Sequence, residues 1–445
     1  MSQNPVNGRC LEGDVYDFAI VGSGYGGCIS ALRLTEAGFS VILVEQGCHW
    51  EPKHFKQSYS PHYLNKLYYD STYTNDFSAF FRTAKVLGGG SILNAGASLE
   101  APAEAFQTRL GDRLLWPPSV TKATLTPFYE TVRKKLGIKV IPEADVSKSG
   151  RKFAEICHRA GLNSQKVAFN FQDCLQYGFC QAGCKFGRKV TAWDAYGQPA
   201  QANGAKILIG AKVVEIGKNK DRFRIAVRSK WRTQTIQSQR VILAAGTIGN
   251  VRILENSRRF LPTLSNRVGE QFTASGSLTF FFELSEADPD YFCFMGQTNP
   301  GIYCFNYWSR HRMVLHAVAV PHALMGALVT NGQEGSMWDT SGRTFAGQLE
   351  TLFPHKIVGG ALHGIPQAVG RLVKVNRNWT HPQTIFDRSS TLILATCSMA
   401  DNIDHGVVNP DGEVFGCPGL YINDGSVIPS SLGVNPYLTI AANAE

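Results

Sequence analysis

The sharpest rhythm of apolar and polar positions stands near the start of the chain. "YDFAIV" (16–21) reads as a strand buried on both faces, because its apolar run is nearly continuous. "GCISALRLTEAG" (27–38) then repeats apolar residues at helical spacing, with Gly38 where a C′ glycine stops a helix. "SVILVE" (40–45) is a second apolar strand that ends in Glu45. The same strand rhythm returns in "RVILAAGTIGN" (240–250), which closes on Ala245 and Gly246. It returns again in "LYIND" (420–424), where Gly425 marks a turn. Pro429 and Pro436 stiffen the loop that follows, and "LTIAA" (438–442) opens a helix. Between these, 276–318 hold aromatic-rich strand-like runs with turn signals, among them "GSLTFFFELS". "PHALMGALV" and "GQLETLF" predict short helices in 319–375. No fixed-period repeat runs through the chain.

Strand, turn, helix and strand at the start enclose Gly22, Gly24 and Gly27 as G-x-G-x-x-G. Gly22 permits the tight turn, Gly24 lets the backbone approach a pyrophosphate, and Gly27 allows close helix–strand packing. Glu45 lies where an acid accepts hydrogen bonds from a ribose. This pattern points to a dinucleotide and leaves NAD and FAD both open. A second glycine loop, "RTAKVLGGGSILNAGAS" (82–98), places three glycines in a row. Such a run costs chain entropy, so it predicts main chain pressed against a flat ligand or a phosphate, with a flexible turn as the alternative.

Composition narrows the class. With 445 residues, 44% of them apolar, the chain can bury a large core in two or three domains. The net charge of +9 comes without a tight Lys/Arg run, so no nucleic-acid partner is expected. No uninterrupted apolar window is long enough for a transmembrane helix. The start, "MSQNPVNGRCLEGD", has no apolar leader, and the cysteines number eleven, so reduced thiols and a cytoplasmic location are expected. Cys174, Cys180 and Cys184 crowd "CLQYGFCQAGCKFGRK". Their spacings fit no standard metal set, so no metal is expected; a structural loop and a redox disulfide remain open. The histidines at 311, 316, 322, 355, 363 and 381 form no H-E-x-x-H motif. Neither a G-x-x-x-x-G-K-[ST] loop nor a G-x-S-x-G elbow is present.

Taken in order, "VGSGYGG", "VEQG", "VLGGGSILNAG", "VILAAGTIGN" and "GLYINDGSVIPSSLGVNPYLTI" resemble the glucose–methanol–choline (GMC) oxidoreductases, most nearly their cholesterol-oxidase-like branch. The resemblance implies an α/β fold: a Rossmann-type FAD-binding domain with a discontinuous α+β substrate domain built on an antiparallel sheet. It divides the chain into 10–115, 195–275 and 386–445 for FAD, and 116–194 and 276–385 for substrate. It implies FAD rather than NAD. Gly22, Ser23, Gly24 and Gly27 would hold the pyrophosphate and Glu45 the adenosine ribose. Gly88, Gly89, Ser91 and Asn94 would line the flavin side. Val213 would bond adenine through its backbone, with Ala245 and Gly246 near the adenosine. Asp424 and Gly425 would meet the ribityl–phosphate region and the flavin edge. Relatives usually continue the last helix beyond the point where "AANAE" ends.

One position departs from the family. Its active-site histidine precedes a G-T-C-x-M segment as H-x-x-G-T-C, and imidazole suits proton handling near neutral pH. Here the segment reads "LILATC": Thr396, Cys397 and Met399 match, Ala395 takes the glycine position, and Leu392 stands for the histidine. Asn435 occupies the second active-site position, which is His or Asn in the family, and is a candidate catalytic residue beside the flavin. His405 is the candidate replacement for the missing imidazole. The resemblance implies hydride transfer from an alcohol or ring C–H of a lipophilic small molecule, sterol- or terpenoid-like, to flavin N5. Oxygen or an electron carrier would reoxidise the flavin. Leu392 keeps two alternatives open: a flavoenzyme with a non-redox or photochemical reaction, and a flavin-binding protein without turnover.

Overall fold

The computed structural model describes residues 14–58, 60–73, 80–219, 221–229, 233–271, 273–274, 301–311, 314–316 and 393–445. Strand β1 (Val15–Val21) is flanked on one side by β2 (Val41–Val44), every residue of which is buried. Both are apolar on both faces because layers cover the sheet above and below. Helix α1 (Tyr25–Glu36) makes the crossover between them. It starts two residues before the predicted helical run, at the glycine turn itself. Gly38 ends it with φ +84°, and Phe39 N–H reaches back to Leu34 O at 3.0 Å, the closure expected of a C′ glycine.

Four further strands, β3 (Lys206–Leu208), β4 (Lys212–Asn219), β5 (Arg222–Arg228) and β6 (Thr233–Leu243), join the sheet. A seventh, β7 (Leu420–Ile422), comes from the far end of the chain. The parallel order is β3-β2-β1-β6-β7. β6 forks: its first half pairs antiparallel with β5, which pairs with β4, and its last residues pair with β7. A long strand thus serves an antiparallel meander and a parallel Rossmann sheet at once. The fold is α/β, as expected.

Helices α2 (Lys122–Lys135), α3 (Gly246–Ser257) and α4 (Tyr437–Ala444) complete the layers. α4 packs on both α1 and α2, and α3 covers β4. Trp116, Tyr129, Tyr196 and Phe223 are the largest side chains sealed in this core. Away from the main sheet, short antiparallel ladders join Lys139–Val140, Ala168–Phe169 and Ala97–Ser98. Others join Ser164–Lys166, Ile302–Cys304 and Leu315–His316. The aromatic runs at 276–300 and the short helices predicted in 319–375 lie outside the described residues.

Candidate functional site

The two glycine loops meet main chain to main chain at the end of β1. A Cβ on Gly89, which has φ +55°, would stand 2.8 Å from Gly24 Cα. Around the first turn, every glycine but one is hemmed in. A Cβ on Gly22 would lie 2.2 Å from Ala244 O, and one on Gly27 would lie 1.9 Å from Gly22 O. Gly26, outside the three-glycine motif, is tightest: its Cβ would fall 1.6 Å from Asn423 O, where the β7 strand leaves the sheet. The extra glycine in "GYGG" was the sequence signal for that contact. Gly24 alone faces open space, with nothing within 4 Å of a Cβ. It caps α1, whose first turn has no side-chain cap and no acidic residue. An uncapped helix start behind a bare glycine is a ready anion seat.

Ser23 links the loops. Its hydroxyl donates to Glu45 Oε2 at 2.6 Å and accepts Gly88 N–H at 2.9 Å. Ser23 N–H reaches the same carboxylate at 3.1 Å, and Gly47 N–H donates to Oε1 at 2.7 Å. Burial pushes the Glu45 carboxyl above its ordinary value, against these donors. Glu45 therefore organises the cradle from beneath; a ribose hydroxyl would share it with Ser23. Ser91 is also turned inward, donating to Gly88 O at 2.6 Å and accepting Ala192 N–H at 3.0 Å.

Opposite stands a second buried carboxylate. Asp424 Oδ2 accepts Gly246 N–H at 2.7 Å and Asn250 Nδ2 at 2.8 Å; Oδ1 accepts Ser426 N–H at 2.8 Å and Ser426 Oγ at 2.6 Å. Burial pushes this carboxyl up as well. Asp424 thus ties the β7 exit and Gly425 to the start of α3, where Ala245 and Gly246 sit. Asn250, at the end of "GTIGN", closes the link by accepting Ala245 N–H at 3.0 Å. Val213 is buried at the start of β4, beside the register shift between Val213 and Glu215.

Asn94 follows the second glycine loop. Its Nδ2 donates to Tyr25 OH at 3.1 Å, while its buried Oδ1 has no partner. Tyr25 stacks on Tyr437 with centroids 5.0 Å apart, and Tyr437 OH bonds Ser98 Oγ. Behind Asn94, buried Lys189 donates to its main-chain oxygen.

The segment Thr396 to Met399 docks on the Asp424–Val427 turn. Cys397 N–H donates to Ser426 O and Met399 N–H to Val427 O, both at 2.9 Å. Thr396 Oγ1 reaches Thr247 O at 3.0 Å. Ala395, in the family's glycine position, takes φ +72°, the left-handed region that glycine occupies without strain. Leu392 lies outside the described residues. Asn435 Nδ2 stands 3.5 Å from Tyr303 OH. His405 sits on an exposed turn, its carbonyl accepting from Arg113 at 3.3 Å, and no contact brings it to Asn435. A cavity of about 690 Å³ opens beside Ala395 and the 429–433 loop. Leu115, Trp308 and Pro429 give it apolar wall, and Glu104, Thr108 and Ser430 give it polar wall.

Cys174, Cys180 and Cys184 are all free, and no cluster of metal-ligating groups occurs among the described residues. No helix among them is long and apolar enough to cross a membrane.

Two features fit a dinucleotide with a polar ring: the open face of Gly24 at an uncapped helix start, and the orphaned Asn94 oxygen. Family models described as GMC oxidoreductase match residues 16–268 and 376–444. Cholesterol oxidase from Acinetobacter baumannii is 24% identical over 97% of this chain and 93% of that protein. A long-chain-alcohol oxidase from Arabidopsis thaliana is 22% identical over 96% of this chain and 66% of that protein. Two solved structures share the fold: formate oxidase from Aspergillus oryzae (TM-score 0.63, 14% identity, 97% of both chains) and pyridoxine 4-oxidase from Mesorbium loti (TM-score 0.57, 16% identity, 96% of this chain and 97% of that one).

Proposed function

The chain belongs to the GMC oxidoreductase family, whose cofactor is FAD, and from that premise we propose that it oxidises a CH–OH group or ring C–H of a lipophilic small molecule. Bound FAD supplies the hydride acceptor. The observation that carries the reading is the open Gly24 face at the bare start of α1, with Gly89 packed close to Gly24 and Gly88 bonded to Ser23. Gly22, Ser23, Gly24 and Gly27 hold the pyrophosphate, and Glu45 takes the adenosine ribose. Gly88, Gly89, Ser91 and Asn94 form the flavin side. Ala245, Gly246, Val213, Asp424 and Gly425 complete the cradle.

The domain division has support from where the strands fall. β1 and β2 lie in 10–115, β3 to β6 in 195–275, and β7 in 386–445. The open groove beside Ala395 borders the proposed active-site segment and offers an approach for a substrate. The named substrates of the relatives, a sterol and long-chain alcohols, support an apolar one. Their names as oxidases support oxygen as electron acceptor.

Proton handling is where this chain departs from its family. Leu392 cannot accept a proton, and Asn435 is a hydrogen-bond partner rather than a base near pH 7. Asn435 would orient the substrate hydroxyl, with water or the substrate's own group taking the proton. The exposed turn around His405 argues against it as the replacement. Anaerobic mixing of the yellow protein with sterols and long-chain alcohols tests the proposal. Bleaching of the flavin by one of them is the expected result. Product formed while the flavin stays oxidised would favour the non-redox alternative.

A further inference from the structure

Lys189 is the buried group that the cradle does not yet explain. It is 4% exposed, and no carboxylate pairs with it among the described residues. Its ammonium donates to two main-chain carbonyls, Asn94 O at 2.7 Å and Cys180 O at 3.3 Å. The acid on the neighbouring turn, Asp194, is engaged elsewhere. Its Oδ2 accepts Thr191 N–H at 2.9 Å and Thr191 Oγ1 at 2.6 Å. A buried ammonium whose hydrogen-bond partners among the described residues are two carbonyl dipoles is costly to keep. A methionine would fill the same space without that cost. The position is informative because Asn94 also carries a buried side-chain oxygen without a partner among the described residues, as do Asn170 and Ser238.

We infer that Lys189 is a positioning residue for FAD: its ammonium clamps the Asn94 main chain against the cysteine loop and so leaves the Asn94 amide set for the cofactor. This rests on the assignment of the second glycine loop to FAD. The clamp joins two segments that differ in kind. Asn94 follows a glycine loop with little side chain to fix it, and Cys180 belongs to the 174–189 loop. The charge also suits an anionic ligand, since a fixed cation behind the loop favours negative charge in front of it. The ionisable groups facing the ammonium are Cys174, Cys180 and Cys184 from the cysteine loop and Asp194 from the short helical turn Trp193–Gly197. Burial pulls the Lys189 ammonium down to about 8, against all four.

FAD affinity of the full-length protein, measured by flavin fluorescence from about pH 6 to about pH 10, reads the clamp. In the wild type, affinity falls as pH rises through about 8, because the neutral amine makes weaker bonds than the ammonium. Lys189→Met lowers affinity roughly ten- to a hundredfold below that pH and abolishes the step. Lys189→Arg keeps its charge throughout, so it also abolishes the step but holds FAD more tightly than the methionine variant. If the methionine variant fails to fold, the wild-type profile and the arginine variant still decide. A folded Lys189→Met protein with wild-type affinity and profile would overturn the inference, as would a step unchanged in Lys189→Arg. Wild-type protein that binds no FAD at any pH would sink the cofactor assignment itself, and this inference with it.

Discussion

The cradle at the end of β1 and the region around Ala395 and Asn435 are built differently. In the cradle, backbone touches backbone: Gly22 on Ala244, Gly26 on Asn423, Gly89 on Gly24. Two buried carboxylates, Glu45 and Asp424, then lock neighbouring turns with charge-assisted bonds. Around Ala395 a main chain in a left-handed conformation borders a cavity, and the Asn435 side chain has one long hydrogen bond among the described residues. The first region is determined several times over, as a site must be when its ligand is large and invariant. The second keeps its frame through Cys397 and Met399 on the Asp424–Val427 turn.

The sharpest way to break this contrast is Gly26→Val. A Cβ 1.6 Å from a carbonyl leaves the β7 exit no room, so a loss of at least about 4 kcal/mol is expected. Recovery of folded protein at wild-type yield, judged by thermal unfolding, would show that the contact gives way. Ser23→Ala comes next. It strands Gly88 N–H and removes one donor from Glu45, at a cost of about 2–3 kcal/mol in denaturant titration. Ala395→Gly should act the other way and gain about 0.5–1 kcal/mol, since the left-handed main chain no longer carries a Cβ. A loss of stability there would show that the methyl group packs better than its backbone suggests.

Lys189 sharpens the comparison through pH. Its folded value lies below that of a free lysine, so between about 8 and the free value the folded protein holds fewer protons than the unfolded chain. Stability of the FAD-free protein should therefore rise with pH across that window, and Lys189→Met should flatten this contribution. The FAD affinity should move in the opposite direction. Two opposed slopes from one residue are hard to obtain from a lysine that only fills space.

What was legible in the sequence follows the same divide. β1, α1 and β2 could be read because apolar rhythm and a glycine turn are local signals, and Gly38 stops α1 where its position implied. Local signals could not show that β6 forks, since β5 and β7 reach it from different parts of the chain. Ser23, Glu45 and Ser91 could be named as candidates, but the sequence did not show that their side chains bond one another and the loops. Gly26, Asn250 and Lys189 were missed as individuals because each is explained by a partner distant in sequence. Leu392 could be noticed only against the family's pattern; nothing in its own neighbours marks it.

We propose that bare main chain at Gly24, and not a side chain, seats the FAD. The direct test is the visible absorbance spectrum of wild-type and Gly24→Val proteins after incubation with FAD and removal of the excess. Stoichiometric flavin is expected in the wild type and none in a variant that keeps its fold by circular dichroism, because the added side chain enters space that no atom of the described residues fills. A wild type without flavin, or a Gly24→Val protein as yellow as the wild type, would contradict it.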